Sequence, residues 1–250
     1  MSGLERAPAD PVGVSQAETL EILRTGAVTV LGLIPYSSNY TFLARVERGE
    51  ELLAVYKPRR GERPLWDFPA GSLAPREVAA WLVSEAAGWG IVPATVLRED
   101  APLGDGSLQL FIEHDPDRHY FVLMEESLEE FAVFAAFDAV INNADRKAGH
   151  VIEDGGGRLW AVDHGVSFNV DPKLRTVIWQ FAGEQLGPQI RAALESLGAE
   201  LAGRGDLYTR INDLLSRAEA DATLARIEAL LVEDRFPQPG GDRPLPWPLI

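Results

Sequence analysis

Residues 128–141, LEEFAVFAAFDAVI, run almost without a polar break and give way at once to NNADRKAGH, residues 142–150. The first segment predicts a helix that is apolar on nearly every side, and such a helix has to lie at the centre of a core. The second gathers two Asn, an Asp, an Arg, a Lys and a His within nine positions, where that helix ends and a strand begins. A bare surface turn needs no such set. The juxtaposition constrains the chain to a fold in which a buried helix delivers a polar loop to a site.

Around this centre the 250-residue chain divides unevenly. Residues 1–14 read as a loose leader broken by Pro8 and Pro11. Ser15, with Glu18 three positions on, predicts a helix to Thr25 that stops at Gly26. AVTVLGLIP, YTFLARVERG and ELLAVYKP predict strands, the last two as an antiparallel hairpin about the RGE turn. Residues 59–71 read as an ordered loop, and a helix is expected over 75–87, with Pro in its first turn and Gly88 after it. IVPATVLRED, SLQLFIEH and HYFVLMEE are read as further strands. Past the polar loop, HVIED and RLWAVDHGVSF have hairpin spacing about GGG. Helices are then expected at 176–184, 186–202, 206–217 and 219–234, before an extended Pro-rich tail. The first half is strand-rich with one long helix. The second is helical, interrupted by one polar hairpin.

Composition removes whole classes of function. Without cysteine there are no disulfides, thiolate nucleophiles or Cys-ligated zinc sites. A formal charge of −15 opposes nucleic acid and anionic lipid as partners. No apolar run reaches the roughly 18 residues of a spanning helix, and the N-terminus lacks the flank and core of a signal peptide. The expectation is a cytoplasmic protein without integral membrane contact. The four histidines show no zinc spacing, no G-x-S-x-G elbow exists, and GGG at 155–157 precedes a strand instead of the helix that a nucleotide fingerprint requires.

Two carboxylates carry the chemical argument. Asp145 follows the apolar helix, and Asp163 ends the apolar run LWAV, where a carboxylate costs desolvation unless it is paired or bound to a cation. The bland alternatives are an Asx-type turn with Gly165 for Asp163 and a helix cap for Asp145. Of the 23 basic residues only Lys57, Lys147 and Lys173 are lysines. Lys57 closes LLAVYK and either snorkels to solvent or pairs in a cleft with Glu77 of the next helix. PYSSNY, residues 35–40, is either a plain turn or a nest of amides and hydroxyls able to bind phosphate. The loop and tail aromatics Trp66, Phe68 and Trp247 are either core anchors or an interaction face.

In this order the pieces resemble the atypical branch of the protein-kinase-like superfamily, which includes phosphatidylinositol 3- and 4-kinases, HipA-type kinases and secretory-pathway kinases. The similarity spans roughly residues 28–185 and is nearest to an actinobacterial group described as phosphatidylinositol 3- and 4-kinase-like. The D-R-H-x-x-N catalytic loop of that pattern stands here as Asp145-Arg146-Lys147-Ala148-Gly149-His150, eighteen residues before Asp163-His164-Gly165 in the place of the metal-binding motif. The resemblance implies an α+β fold: a bilobed protein-kinase-like architecture with an antiparallel-sheet N-lobe carrying one long helix (residues 1–112) and a mainly helical C-lobe (residues 113–250).

It also implies ATP and Mg²⁺ or Mn²⁺ as cofactors. Lys57, held by Glu77, would bind the nucleotide phosphates, Ser37, Ser38 and Asn39 would cover them, and the strand at Gln109 and Phe111 would meet the adenine. Asp163 and His150 are the implied metal residues, and Asp145 and Lys147 the catalytic ones. His150 stands where the pattern has Asn, and Lys147 where it has His; imidazole suits Mg²⁺ less well than an amide oxygen does. The function implied is phosphate transfer from ATP to a hydroxyl of a protein or small molecule. The alternatives are a nucleotide-binding pseudokinase or interaction module, and an AMP-transferring enzyme on the same fold.

Overall fold

Strand alternation and turn chemistry build the first lobe. In the computed structural model, which describes residues 13–35, 39–241 and 243–250, β1 (Ala27–Leu33), β2 (Phe42–Arg48), β3 (Glu50–Pro58), β4 (Thr95–Arg98) and β5 (Gly106–Leu110) form one antiparallel sheet. Its spatial order is β1-β2-β3-β5-β4. Arg48 pairs with Glu50 across Gly49, whose φ of 80° is open to glycine and strained for other residues. Ala44 and Val46 of β2 and Leu52, Ala54 and Tyr56 of β3 turn to one face, as a period of two requires, and bury there with Ile22 and Leu23. Those two belong to α1 (Gln16–Thr25), whose first turn is capped by the Ser15 hydroxyl accepting from the Glu18 N–H. Gly26 ends α1 in extended conformation. A Cβ there would lie 2.7 Å from both the Ile22 carbonyl and Val46, so close packing on β2, not a left-handed turn, demands the glycine.

The second lobe is built on α3 (Tyr120–Ser127), α4 (Phe131–Ile141), α5 (Pro188–Ala202), α6 (Asp206–Leu214) and α7 (Arg217–Glu233), with a short hairpin of β6 (Val151–Glu153) and β7 (Leu159–Ala161). Phe131, Phe134 and Phe137 of α4 are fully buried, each worth about 1.5–3 kcal/mol in transfer from water. Asn142 ends α4 in the left-handed conformation, φ 52°. Its amide donates to the carbonyls of Asn169 and Asp171 and accepts from the Lys173 N–H, so the chain leaves the helix in one fixed direction.

Between the lobes lies α2 (Leu73–Ala86), buried from Leu73 to Ser84. Chain order sets α2 among the strands, yet Ala79, Ala80, Leu82 and Val83 pack into the helical core. Arg76, fully buried, donates to the Ser167 carbonyl at 2.6 Å, pairs with Glu219 of α7 and lies over the Phe68 ring.

Two expected elements differ. HYFVLMEE is α3, not a strand: Tyr120 and Leu123 bury at helical spacing while Val122 faces out, and five consecutive apolar residues hid that period. Residues 176–184 form turns instead of a helix, because Thr176 pairs in parallel with Arg146 and Gly183 takes φ 77°. Of the loop aromatics, Phe68 is a core anchor, whereas Trp66 and Trp247 are 92% and 87% exposed. The tail is extended and tied down: the Thr176 N–H donates to Pro244 and the Ala148 N–H to Leu249. Among the described residues no helix is long and apolar enough to cross a membrane.

Candidate active site

Lys57 is the last charged residue of β3, paired with Ser107 of β5, and the strand aims it between the lobes. Its ammonium lies 2.5 Å from Glu77 Oε1 and 2.8 Å from Asp163 Oδ1. Glu77 projects from the second turn of α2, and its Oε2 accepts from the His164 N–H at 2.9 Å. One carboxylate therefore joins the third strand, the interlobe helix and the segment after β7. Burial pushes the Glu77 carboxyl above its ordinary range, opposed by Lys57. Burial works against the Lys57 charge too, but Asp163 and Glu77 outweigh it and hold the ammonium more firmly protonated than usual.

Asp163 takes φ 61°, a left-handed conformation that a residue other than glycine adopts only when its surroundings impose it. Its carboxylate meets Lys57 and, at 3.3 Å from Oδ2, His150 Nε2, instead of closing a turn on Gly165. The surrounding protein disfavours its charge, yet Lys57 and then His150 outweigh that and depress its pKa far below the carboxylate range. Burial lowers His150 to about 4, so its imidazole is neutral. The His150 Nδ1 faces the Lys147 N–H at 3.4 Å and accepts from it, which leaves the ring proton on Nε2, toward Asp163.

The loop bearing Asp145 stands on a buried ion pair. Arg146 and Asp138 of α4 are fully buried, and the guanidinium meets both carboxylate oxygens at 2.9–3.1 Å. Asp138 also accepts from Asn143 and Thr176, and Arg146 donates to the carbonyls of His150 and Val162. A guanidinium has no acceptor, so its 2.8 Å contact with His164 makes Nε2 of that ring the acceptor and puts the proton on Nδ1, which lies 3.8 Å from Glu77 Oε2, beyond hydrogen-bond reach. His164 links the Arg146 pair to the Lys57 pair through its ring on one side and its backbone N–H on the other.

Asp145 itself lies above this base, its N–H donating to the Asn143 side chain and its carboxylate 3.2 Å from Lys147. Burial raises its pKa to about 6 despite Lys147. A carboxyl held above its unfolded value destabilises the fold once pH exceeds its folded pKa, and that cost fades as pH falls toward the unfolded value, about 3.9. Asp145→Asn is accordingly expected to raise Tm by about 2–4 °C at pH 7.5, corresponding to about 1 kcal/mol after allowance for solvent screening, and by less at pH 5. Thermal denaturation followed by circular dichroism reads both values; a lowered Tm at pH 7.5 would mean that the Lys147 contact outweighs burial.

Two connected recesses receive these groups. The larger, about 280 Å³, has an apolar wall of Ile34, Val55 and Phe111, strand backbone from Gln109 to Ile112, and Lys147, His150 and Asp163 at its polar end. The smaller, about 40 Å³, adds Asn39, Tyr40, Glu62, Glu77 and Asp145, and shares Thr41, Lys57 and Asp163 with the first. The structure thus brings Lys57, Glu77, Asp145, Lys147, His150 and Asp163 to one cleft, with Asn39, Gln109 and Phe111 on its walls. Ser37 and Ser38 lie outside the described residues. The Gln109 side chain is turned away and donates to Thr95, while the N–H groups of Leu110 and Phe111 donate to Ala94 and Leu53. Hydrogen bonding from this strand to a ligand therefore falls to groups other than those two amides.

Sequence reasoning missed Glu62, whose Oε1 accepts from the first N–H groups of α2, those of Leu73 and Ala74, at 3.2 and 3.1 Å. No local pattern links residues so far apart. Among the described residues no group of three or more His, Asp or Glu is gathered around a single metal position. A single carboxylate nonetheless fits Mg²⁺, which keeps several waters and takes phosphate oxygens from a substrate.

No model of a known protein family matches the chain. Protein Rv2133c of Mycobacterium tuberculosis is 39% identical over 263 residues, covering 91% of this chain and 94% of that protein. Phosphatidylinositol 4-kinase gamma 4 of Oryza sativa subsp. japonica is 29% identical over 201 residues, or 65% of this chain; those cover 36% of the rice protein, so the match spans about a third of its length. Among solved structures, the Golgi casein kinase with Mn/ADP bound superposes with a TM-score of 0.58 at 14% identity, covering 88% of this chain and 75% of that one. At that identity the likeness is one of fold, and the fold is kinase-like.

Proposed function

Since the chain belongs to the family of Protein Rv2133c of Mycobacterium tuberculosis and has a kinase-like fold, we propose that it is an ATP-dependent phosphotransferase acting on a hydroxyl of a protein or small molecule. The observation that carries this reading is the position of the Lys57 ammonium, bonded at once to Glu77 and Asp163 in the cleft that also holds Asp145. Such a constellation suits phosphoryl transfer, where positioning and charge neutralisation do most of the work. The rice relative supports a place near the phosphatidylinositol 3- and 4-kinase-like branch, whereas the net charge of −15 weighs against an acceptor on an anionic membrane.

In the proposed reaction the acceptor oxygen bonds to the γ-phosphorus of ATP, the bond from that phosphorus to the β,γ-bridging oxygen breaks, and ADP leaves. The Asp145 carboxylate orients the acceptor hydroxyl and takes its proton. Lys57, kept charged and immobile by Glu77, binds phosphate oxygens, and Lys147 offsets charge on the transferred group. Asp163 would hold Mg²⁺ or Mn²⁺, which when bound neutralises the phosphates. His150 reaches such an ion through its nitrogen only after giving up the Nε2 proton now turned toward Asp163. Nitrogen there suits Mn²⁺ better than Mg²⁺.

Thermal unfolding with ATP or ADP, each with Mg²⁺ or Mn²⁺, tests the reading. A nucleotide at about 100 times its Kd adds about 2.7 kcal/mol, or roughly 5–10 °C in Tm. Label transferred from the γ but not the α position of ATP to an acceptor is the expected result. Transfer of α label would establish AMP transfer in its place, and no stabilisation by either nucleotide would overturn the proposal.

A further inference from the structure

The segment that follows Asp163 and the chain's tail enclose a further cavity of about 350 Å³, lined by Lys173, Arg175, Trp179, Gln238 and Arg243, with Gly240 and Gly241 at its edge. It shares no lining residue with the nucleotide cleft. Among the described residues every charged group on its wall is cationic, in a chain of net charge −15. Lys173 is already engaged, 3.0 Å from Asp67 and over the Trp66 ring. Arg175 and Arg243 differ: among the described residues neither guanidinium has an ion-pair or hydrogen-bond partner. Arg175 is half-buried, and among the described residues the buried arginines are tied, Arg76 to Glu219, Arg98 to the Leu23 and Gly26 carbonyls and Arg146 to Asp138. Arg243 is exposed and Arg175 keeps solvent access, so both guanidiniums offer uncommitted N–H donors to the cavity.

The walls are fixed. The Trp179 indole N–H donates to the Pro244 carbonyl at 3.1 Å, which holds the ring in place. Gln238 packs so closely on Gly183 that a Cβ at that glycine would come within 2.2 Å of its amide nitrogen. The Arg175 N–H donates to Asn143, and its carbonyl accepts from Arg146, so the floor of the cavity is hydrogen-bonded to the loop that carries Asp145.

We propose that this cavity is a binding site for a phosphate monoester. Two guanidinium forks and the Gln238 amide offer more N–H donors than a carboxylate can accept and match the three terminal oxygens of a phosphate dianion. Trp179 presents a face to the organic part, and the volume suits a small ligand. The site stands whether or not the chain transfers phosphate, because it requires nothing of the nucleotide cleft.

Calorimetric titration of the full chain without nucleotide tests it, with inorganic phosphate and glycerol 3-phosphate as probes in one arm. Phosphatidylcholine vesicles with and without phosphatidylinositol 4-phosphate form the other. Wild type is expected to bind saturably at millimolar concentration or below, and Arg175→Gln and Arg243→Gln each to bind at least about tenfold more weakly while retaining the wild-type Tm. Binding of the soluble ester assigns the site to a free small molecule, and binding confined to phosphoinositide vesicles assigns the phosphate to a lipid headgroup; both support the site. Unchanged affinity in both variants, or no saturable binding of any probe by wild type, overturns it.

Discussion

Asp163→Asn is expected to lower ATP-dependent phosphate transfer by at least about 10³-fold, read as γ-labelled product per mole of folded protein. Asparagine preserves the shape of the residue but removes the charge that Lys57 meets at 2.8 Å and that a divalent ion would need. Its amide nitrogen would also face either the ammonium or the His150 N–H, donor against donor. The side chain is 47% exposed, so the fold should tolerate the change and the loss should be chemical. Turnover in the variant equal to wild type would remove Asp163 from the mechanism. An inert wild type that still binds nucleotide would identify a pseudokinase.

The second large effect is on stability. Arg146→Ala should cost about 3–5 kcal/mol, because it strands the Asp138 carboxylate in a fully buried position, takes the donor from the Val162 carbonyl and leaves the His150 carbonyl only the Val162 N–H. Against a total stability of about 5–15 kcal/mol that is a substantial fraction. Replacing both partners by apolar residues of similar size, Arg146→Met with Asp138→Leu, should recover most of the loss without restoring turnover, since Asp145 would then lack its support. Denaturant midpoints for the two single variants and the pair measure the coupling. A cost below about 1 kcal/mol for Arg146→Ala would show that the loop does not depend on the pair.

Much of this arrangement was legible before any coordinates. The alternation in YTFLARVERG and ELLAVYKP determined the β2–β3 hairpin, and with it the end of the strand at which Lys57 emerges. The apolar run of α4 announced where Asp145 would begin its loop. Legibility failed wherever the deciding partner was remote. HYFVLMEE contains too many adjacent apolar residues for a period to show, and only burial of Tyr120 and Leu123 separates helix from strand. Residues 176–184 carry helix-compatible side chains, but their backbone pairs with the Arg146 segment and the tail. Glu62 at the start of α2, and the bridge from Arg146 through His164 toward Glu77, connect positions that no local spacing relates.

Embedding α2 in the helical core has a consequence for control. Swinging this helix outward to part Glu77 from Lys57 would bring Ala79, Leu82 and Val83 into water and strip Arg76 of Glu219 in the same motion. The penalty far exceeds what a bound effector ordinarily supplies. A protein built this way rests with the Lys57–Glu77 pair assembled, and on the proposed reading control falls to the mouth of the cleft or to the delivery of the acceptor.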